Sequence, residues 1–244
     1  FYNVEKWILY NIRSIKAQKH KDFECVFVSD QGTDNTTSII EKEIKGDDRF
    51  KLFINEERTG ALGSTNYGIK KANPSDEDIL VVLDGDDWFA SSLSLSRLNK
   101  EYADKDCWMT YGSYIFHPYA YRGPEPSEYP KEVIEKNSFR SDTWRASHLR
   151  TFKRELFMSI QKQDFMDEDG DFFKFTWDRV IMYPMIEMSG KEHFIAIGKV
   201  MYIYNKENPI SVDKVHRSEQ LRIESVLVSK QPYDKLRVLQ IEEL

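Results

Sequence analysis

Apolar residues recur with helical and strand spacing in turn along the first half of the chain. Over residues 4–18 they fall on one helical face, which predicts a helix packed against a core. Short apolar runs bounded by polar residues follow, and such runs are typical of buried strands. They occupy 23–28, 50–54, 79–83 and 108–114, with helical patterns between them from Asn35 or Thr36 onward, over 61–72 and over 93–102.

This order of elements predicts an α/β fold. Strands that alternate with helices at this spacing form a parallel sheet with crossover helices. We therefore expect a mostly parallel, Rossmann-like sheet that is flanked by helices. A chain of 244 residues fits a single domain of this kind, which would span 1–244.

The second half, 115–215, is less regular, and a C-terminal extension, 216–244, follows it. Prolines predict a loop over 118–130. Two apolar runs around Gly198 predict a hairpin. Helical spacing covers 154–160, 177–189, which Pro184 interrupts, and 216–229, at the start of the extension.

Composition and charge narrow the class of protein. The chain has 35 Lys and Arg against 41 Asp and Glu, and this net charge of -6 argues against a nucleic-acid-binding protein. No apolar run approaches the roughly 20 residues of a membrane span, and no secretory signal stands at the start. Cys25 and Cys107 are too few for a disulfide framework or a zinc site. We interpret them as reduced core residues, which predicts a cytoplasmic location.

An acidic cluster follows the strand predicted over 79–83. Asp84, Asp86 and Asp87 come directly after it, and ligands of α/β sheets bind outside the carboxyl ends of the strands. Carboxylates in a cleft are costly unless a positive charge lies beside them. Mg²⁺ or Mn²⁺ bound to phosphates meets that need with one or two carboxylates. The cluster therefore indicates a metal and a phosphate-bearing ligand, and the alternative is a solvated acidic turn that caps the next helix.

Two further polar clusters stand at the ends of predicted strands. Asp30 follows the strand over 23–28, where a carboxylate can accept a hydrogen bond from the N–H of a base. The alternative for Asp30 is a plain Asx-type turn. Arg58 suits a base or a phosphate, and Gly60 lets the backbone approach a ligand closely. The alternative for Arg58 is a surface arginine before a helix.

Four segments carry a resemblance to a known family. In order and spacing, "YNVEKWI", "VFVSDQGTDNT", "RTGALGSTNYGIKKA" and "ILVVLDGDDWF" resemble the nucleotide-binding half of family-2 glycosyltransferases of the GT-A fold. The resemblance covers about 1–114. It implies a GT-A fold whose first half binds a nucleotide-sugar and whose second half, 115–215, binds the acceptor.

The resemblance also implies a reaction and its cofactors. The reaction would be transfer of a sugar from a nucleotide-sugar donor, expected to be a UDP-sugar, to a hydroxyl acceptor such as a glycan. It would invert the anomeric carbon and require Mn²⁺ or Mg²⁺. Two alternatives stay open at this point, a nucleotidyltransferase and a non-catalytic module that binds nucleotide-sugars or glycans.

Individual roles on the donor side follow from the same resemblance. Asp30 matches the acid that contacts uracil, and Arg58 lies in the segment that helps to hold the base. Asp84 matches the acid near the ribose, and Asp86 matches the metal ligand of the D-x-D pair. Asp87 is expected as an additional ligand.

The second half matches the family through fewer residues. Members carry a Glu-Asp pair at the start of a helix, and here that pair reads Trp177-Asp178. Asp178 is therefore the candidate for the catalytic base, with Glu187 as the rival on the same helix. His216 would be a metal ligand from the C-terminal segment. The chain departs from the family in reading Ser29-Asp30-Gln31-Gly32 for D-D-G-S and in lacking the opening strand.

Overall fold

The structure, a computed structural model, describes residues 1–239 except for the side chains of residues 212 and 213. The last five residues of the predicted C-terminal extension lie outside the described residues. The strands are β1 (Cys25–Ser29), β2 (Phe50–Ile54), β3 (Ile79–Val82), β4 (Trp88–Phe89), β5 (Met109–His117), β6 (Arg150–Lys153) and β7 (Phe194–Asn205). The helices are α1 (Ile8–Lys16), α2 (Thr36–Ile44), α3 (Gly60–Ala72), α4 (Ser94–Asp104), α5 (Lys131–Glu135), α6 (Arg154–Met158), α7 (Trp177–Ser189), α8 (Val212–Val215) and α9 (Arg217–Ser229).

The strands pair in a mixed rather than a mostly parallel arrangement. β1 and β2 pair in parallel, and a five-stranded sheet has the order β3-β6-β5-β7-β4. In that sheet β5 and β7 are parallel, whereas β6 pairs antiparallel with both β3 and β5, and β4 pairs antiparallel with β7. The α/β class is confirmed. The parallel pattern predicted from the first half does not extend, because strands from the second half insert between and beside its strands.

Strand β7 replaces the hairpin predicted around Gly198. It runs unbroken from Phe194 to Asn205, parallel to β5. Ile197 pairs with Gly112 and Val200 pairs with Ser113, so the residues between them form an irregularity in the register instead of a turn. The strand stays continuous because its apolar residues pack in both hydrophobic clusters of the molecule.

Helix α7 forms the centre of the larger hydrophobic cluster. Residues 180–189 are buried without exception. Pro184 lies inside the helix and does not interrupt it, contrary to the prediction. A proline in a helix interior removes one backbone hydrogen bond, and burial of the surrounding side chains offsets that loss. In the part of the chain that the structure describes, no helix is long and apolar enough to cross a membrane.

Candidate active site

A cleft of about 1720 Å³ opens where β1 and β3 end. Its lining includes eight of the nine residues that the sequence marks as functional, and Glu187 is the exception. The eight come from distant parts of the chain, and they meet because strands β1 and β3 and helices α3, α7 and α9 all present an end to this cleft. They are Asp30, Arg58, Gly60, Asp84, Asp86, Asp87, Asp178 and His216.

The Asp30 carboxylate holds the segment that leads into α3. Its Oδ1 atom accepts hydrogen bonds from the backbone N–H of Thr59 (2.8 Å) and from Nδ2 of Asn55 (3.0 Å). Its Oδ2 atom accepts one from the N–H of Gly60 (3.0 Å), which is the first residue of α3. An anion at a helix N-terminus is stabilised by the helix dipole. Asp30 therefore shapes the wall of the cleft, and a base N–H would share a carboxylate that already accepts these bonds.

Arg58 lies at the mouth of the cleft beside an aromatic ring. Its guanidinium carbon is 3.7 Å from the centre of the Tyr2 ring, and its Nε atom is 3.9 Å from Oδ2 of Asp30. Tyr2 is held there because the neighbouring backbone of Phe1 exchanges hydrogen bonds with Val28 and Asp30 at the end of β1. The sequence analysis did not identify this cation–aromatic pair as part of the cleft.

Gly60 and Gly85 both line the cleft, and each position requires a glycine for a different structural reason. Gly60 has φ +75°, in the left-handed region that glycine adopts without strain. Its backbone conformation accounts for the glycine here, and a close approach to a ligand stays a prediction. At Gly85 a Cβ atom would lie 2.5 Å from Cβ of Phe1, so this position has no room for a side chain.

All three carboxylates of the acidic turn after β3 line the cleft, but Asp87 is buried whereas Asp84 and Asp86 are only partly buried. Asp87 is buried, and it accepts hydrogen bonds from the hydroxyl of Tyr202 at Oδ2 (2.6 Å) and from the N–H of Asn205 at Oδ1 (2.7 Å). Burial raises the pKa of Asp87 well above its usual range, and the charges of Asp86 and Asp84 add to the rise. Both oxygens accept hydrogen bonds from residues of β7, so the structure gives Asp87 a structural role and does not show it as a metal ligand.

Asp84 and Asp86 are only partly buried and line the cleft. Oδ2 of Asp86 accepts a hydrogen bond from Nδ2 of Asn208 (2.7 Å). Oδ2 of Asp84 accepts one from the Tyr202 hydroxyl (3.3 Å). Burial raises the pKa of Asp84, and the nearby Arg150 guanidinium opposes the rise.

The arrangement fits a divalent cation that is bound together with a phosphate ligand. No group of three or more His, Cys, Asp or Glu side chains suited to a metal occurs among the described residues. Mg²⁺ and Mn²⁺ at phosphate sites use one or two carboxylates and complete their shell with phosphate oxygens and water. Asp86 can supply such a carboxylate. His216 is exposed at the start of α9, and its ring packs on Phe175 with the centroids 4.7 Å apart. It lines the same cleft, and its role as a ligand stays a prediction.

Asp178 lies in the first turn of α7 and faces the cleft. Its Oδ2 atom accepts a hydrogen bond from Nη2 of Arg150 (3.0 Å), and 23% of its side chain is exposed. The Arg150 guanidinium also lies 5.6 Å from the centre of the Trp177 ring. Asp178 is thus a partly desolvated carboxylate with a fixed partner, and it is accessible from the cleft.

Glu187 lies in the core and not in the cleft. It forms a two-pronged ion pair with Arg140, with distances of 2.6 Å and 2.8 Å, and it accepts a hydrogen bond from the N–H of Tyr233 (3.0 Å). Burial raises the pKa of Glu187, and Arg140 opposes the rise. A carboxylate enclosed in this way lies outside the cleft, so the structure does not bring Glu187 together with the other candidate residues.

Glu187→Gln is expected to lower the free energy of unfolding by roughly 3–5 kcal/mol, because it leaves Arg140 buried without a counter-charge. Urea unfolding measures this change, and turnover per folded molecule should stay at the wild-type value. The control is Glu192→Gln, which removes an exposed pair with Lys235 and should change stability by no more than about 1 kcal/mol. Unchanged stability with lost turnover would return Glu187 to the catalytic machinery.

Comparison with solved structures identifies the fold class. The chain is similar to Staphylococcus aureus TarS, solved as residues 1-349 in complex with UDP-GlcNAc, with a TM-score of 0.66 and 16% identity over 93% of this chain and 64% of that one. It is also similar to the mannosyltransferase PcManGT from Pyrobaculum calidifontis, solved with GDP-Man and Mn²⁺, with a TM-score of 0.63 and 18% identity over 96% and 64%. These likenesses confirm the GT-A fold.

Comparison of sequences identifies the family. Residues 1–161 match the profile described as Glycosyl transferase family 2, so the chain belongs to that family. Among curated relatives, a Campylobacter jejuni "GalNAc(5)-diNAcBac-PP-undecaprenol beta-1,3-glucosyltransferase" is 34% identical over 38% of this chain and 30% of its own length. An Escherichia coli "UDP-Glc:alpha-D-GlcNAc-diphosphoundecaprenol beta-1,3-glucosyltransferase" is 33% identical over 38% and 36%. The match spans less than half the length of these relatives.

Proposed function

We propose that this protein is a metal-dependent, inverting glycosyltransferase that moves a sugar from a UDP-sugar to a hydroxyl group of a glycan. One observation carries the proposal: Asp30, the Asp84–Asp86 turn and Asp178 line a single cleft in a chain of this family. The E. coli relative is named for a UDP-glucose donor, and TarS was solved with UDP-GlcNAc. Both names favour a uridine donor.

The donor side of the cleft is formed by the first half of the chain. The Arg58 and Tyr2 pair places a cation and an aromatic ring at the mouth, which suits stacking or hydrogen bonding with a base. Asp84 faces the ribose in this proposal, and Asp86 holds the cation. A divalent cation there would neutralise the charge that grows on the departing diphosphate.

The acceptor side is formed around α7. Asp178 takes the proton of the acceptor hydroxyl while that oxygen forms a bond to the anomeric carbon of the sugar. The bond from the anomeric carbon to the diphosphate oxygen breaks in the same displacement, and the nucleoside diphosphate leaves from the opposite face. The protein thus supplies a base and a fixed alignment of donor and acceptor, and this alignment removes much of the entropic barrier.

A panel of nucleotide-sugars tests the proposal, with uridine donors expected to bind tighter than guanosine or cytidine donors. A ligand at 100 times its dissociation constant stabilises the fold by about 2.7 kcal/mol, which a thermal shift in the presence of Mn²⁺ detects. Slow release of the sugar into water should accompany binding. Tighter binding of a guanosine or cytidine donor in calorimetry would contradict the assignment of the base, whereas thymidine donors share the pyrimidine edge and do not discriminate.

The same panel distinguishes a glycosyltransferase from the two alternative classes, a non-catalytic binding module and a nucleotidyltransferase. A non-catalytic binding module would be stabilised by a nucleotide-sugar and release no sugar from it. A nucleotidyltransferase would exchange pyrophosphate with the nucleotide-sugar and form a nucleoside triphosphate. Either result, in place of sugar release, contradicts a glycosyltransferase.

A further inference from the structure

Arg150 on β6 connects the candidate base with the acidic turn. Its Nη2 atom donates a hydrogen bond to Oδ2 of Asp178 (3.0 Å) and lies 3.3 Å from Nε2 of His148. Only 6% of its side chain is exposed, and it lines the cleft. The Arg150 charge also acts on Asp84, where it opposes the rise in pKa. A single buried cation therefore contacts or influences both ends of the candidate site.

His148 lies between Arg150 and Tyr202, and Tyr202 contacts the acidic turn. Burial lowers its pKa well below the usual range, and the charges of Arg150 and Lys206 lower it further. The ring is therefore neutral, and Nε2 accepts the hydrogen bond because arginine can only donate. The His148 ring stacks on Tyr202, with centroids 4.4 Å apart and planes at 16°, and the Tyr202 hydroxyl donates to Asp87.

A second buried arginine shows what a purely structural pair looks like in this protein. Arg140 and Glu187 are both fully enclosed, and their hydrogen bonds include the carbonyl of Leu227 and the N–H of Tyr233. Asp178, in contrast, keeps part of its carboxylate open to the cleft. The Nε atom of Arg150 is buried and has no hydrogen-bond partner among the described residues.

We infer that Arg150 is a positioning residue for the proposed transfer, an inference that rests on the proposed function. It holds the Asp178 carboxylate in one orientation toward the acceptor. Arg150 is itself held by His148, whose ring stacks on Tyr202, and Tyr202 contacts the acidic turn. Because misplacement of a reacting group by about 1 Å can cost roughly 10²-fold in rate, loss of the guanidinium should lower turnover. Donor binding should not change, since Asp30, Arg58 and Asp86 remain in place.

The test compares R150M and R150K with R140K in the wild-type background. The assay is Mn²⁺-dependent hydrolysis of the uridine donor that stabilises the wild type most, with kcat, KM and the calorimetric Kd measured for each variant. R150M should lose roughly 10–10²-fold in kcat with the donor Kd unchanged. R150K should recover part of the loss, because an ammonium group can pair with Asp178 but lacks the planar fork. R140K should lower the melting temperature and leave kcat per folded molecule unchanged.

Several outcomes would overturn the role of Arg150. Wild-type kcat in R150M would do so, and so would a loss that appears wholly in the donor Kd, which would make Arg150 a donor-binding residue. If R150M does not fold, the same division between kcat and Kd in R150K decides the matter. A wild-type chain that hydrolyses no donor in the panel contradicts the proposed function instead, so the two failures are distinguishable.

Discussion

Asp178→Asn is expected to cut turnover by roughly 10²–10⁴-fold, the loss typical of a missing general base. A sugar hydroxyl is a poor nucleophile at neutral pH, and an amide cannot take its proton. The substitution keeps the size of the side chain, and the amide oxygen can still accept the hydrogen bond from Arg150. The binding of donor and metal should therefore persist. Steady-state hydrolysis of the preferred donor and calorimetry with UDP and Mn²⁺ measure the two effects separately.

The matched control for Asp178 is Asp171→Asn. Asp171 is an exposed acid with 65% of its side chain accessible, and it pairs only loosely with Lys174 at 3.4 Å. Its substitution should leave kcat and donor affinity at wild-type values. Near-normal turnover in Asp178→Asn would show that another group accepts the proton.

The local parts of the site were predictable from the sequence because they depend on neighbours in the chain. An apolar run that ends in charged residues identifies a strand and the polar turn after it, as at Asp30 and at Asp84. The carboxyl ends of such strands meet at one edge of the fold. This reasoning predicts that Asp30 and Asp84 lie near each other, and both line the cleft.

Long-range contacts decide the rest, and the acidic turn shows this most clearly. Asp86 and Asp87 are adjacent, yet Asp86 is partly exposed beside Asn208, whereas Asp87 is buried against Tyr202, 115 residues away. Nothing within the turn distinguishes them. Glu187 is a similar case, because its partner Arg140 lies 47 residues earlier in the chain.

The order of strands also depends on distant pairings. β7 remains one strand because β5 pairs along its length. Gly198, flanked by apolar runs, predicts a turn only when the pairing with β5 is left out of account. Arg150 begins strand β6, which the sequence analysis did not predict, and its burial is visible only in the structure. Charged residues are almost never fully buried unless they are paired, and the pairing of Arg150 with Asp178 meets that requirement.

Asp86→Ala is expected to abolish sugar transfer and donor hydrolysis, the largest effect of any substitution proposed for this protein. Asp86 is a cleft carboxylate that accepts a hydrogen bond from Nδ2 of Asn208, and in the proposed function it is the metal ligand. Its loss should also remove the dependence of the rate on Mn²⁺ concentration. The fold should remain, because the buried carboxylate of the turn is Asp87. Hydrolysis across a Mn²⁺ titration, with a melting curve for each variant, measures both.

Asp87→Asn is the control that separates the two neighbours. It weakens the hydrogen bonds to Tyr202 and Asn205, so the melting temperature should fall while the Mn²⁺ concentration for half-maximal rate stays constant. The opposite pattern, a lost Mn²⁺ response with unchanged stability, would return Asp87 to the metal site. Full wild-type activity in excess chelator would contradict metal dependence altogether, because the acidic turn would then have to act on the donor through its own hydrogen bonds.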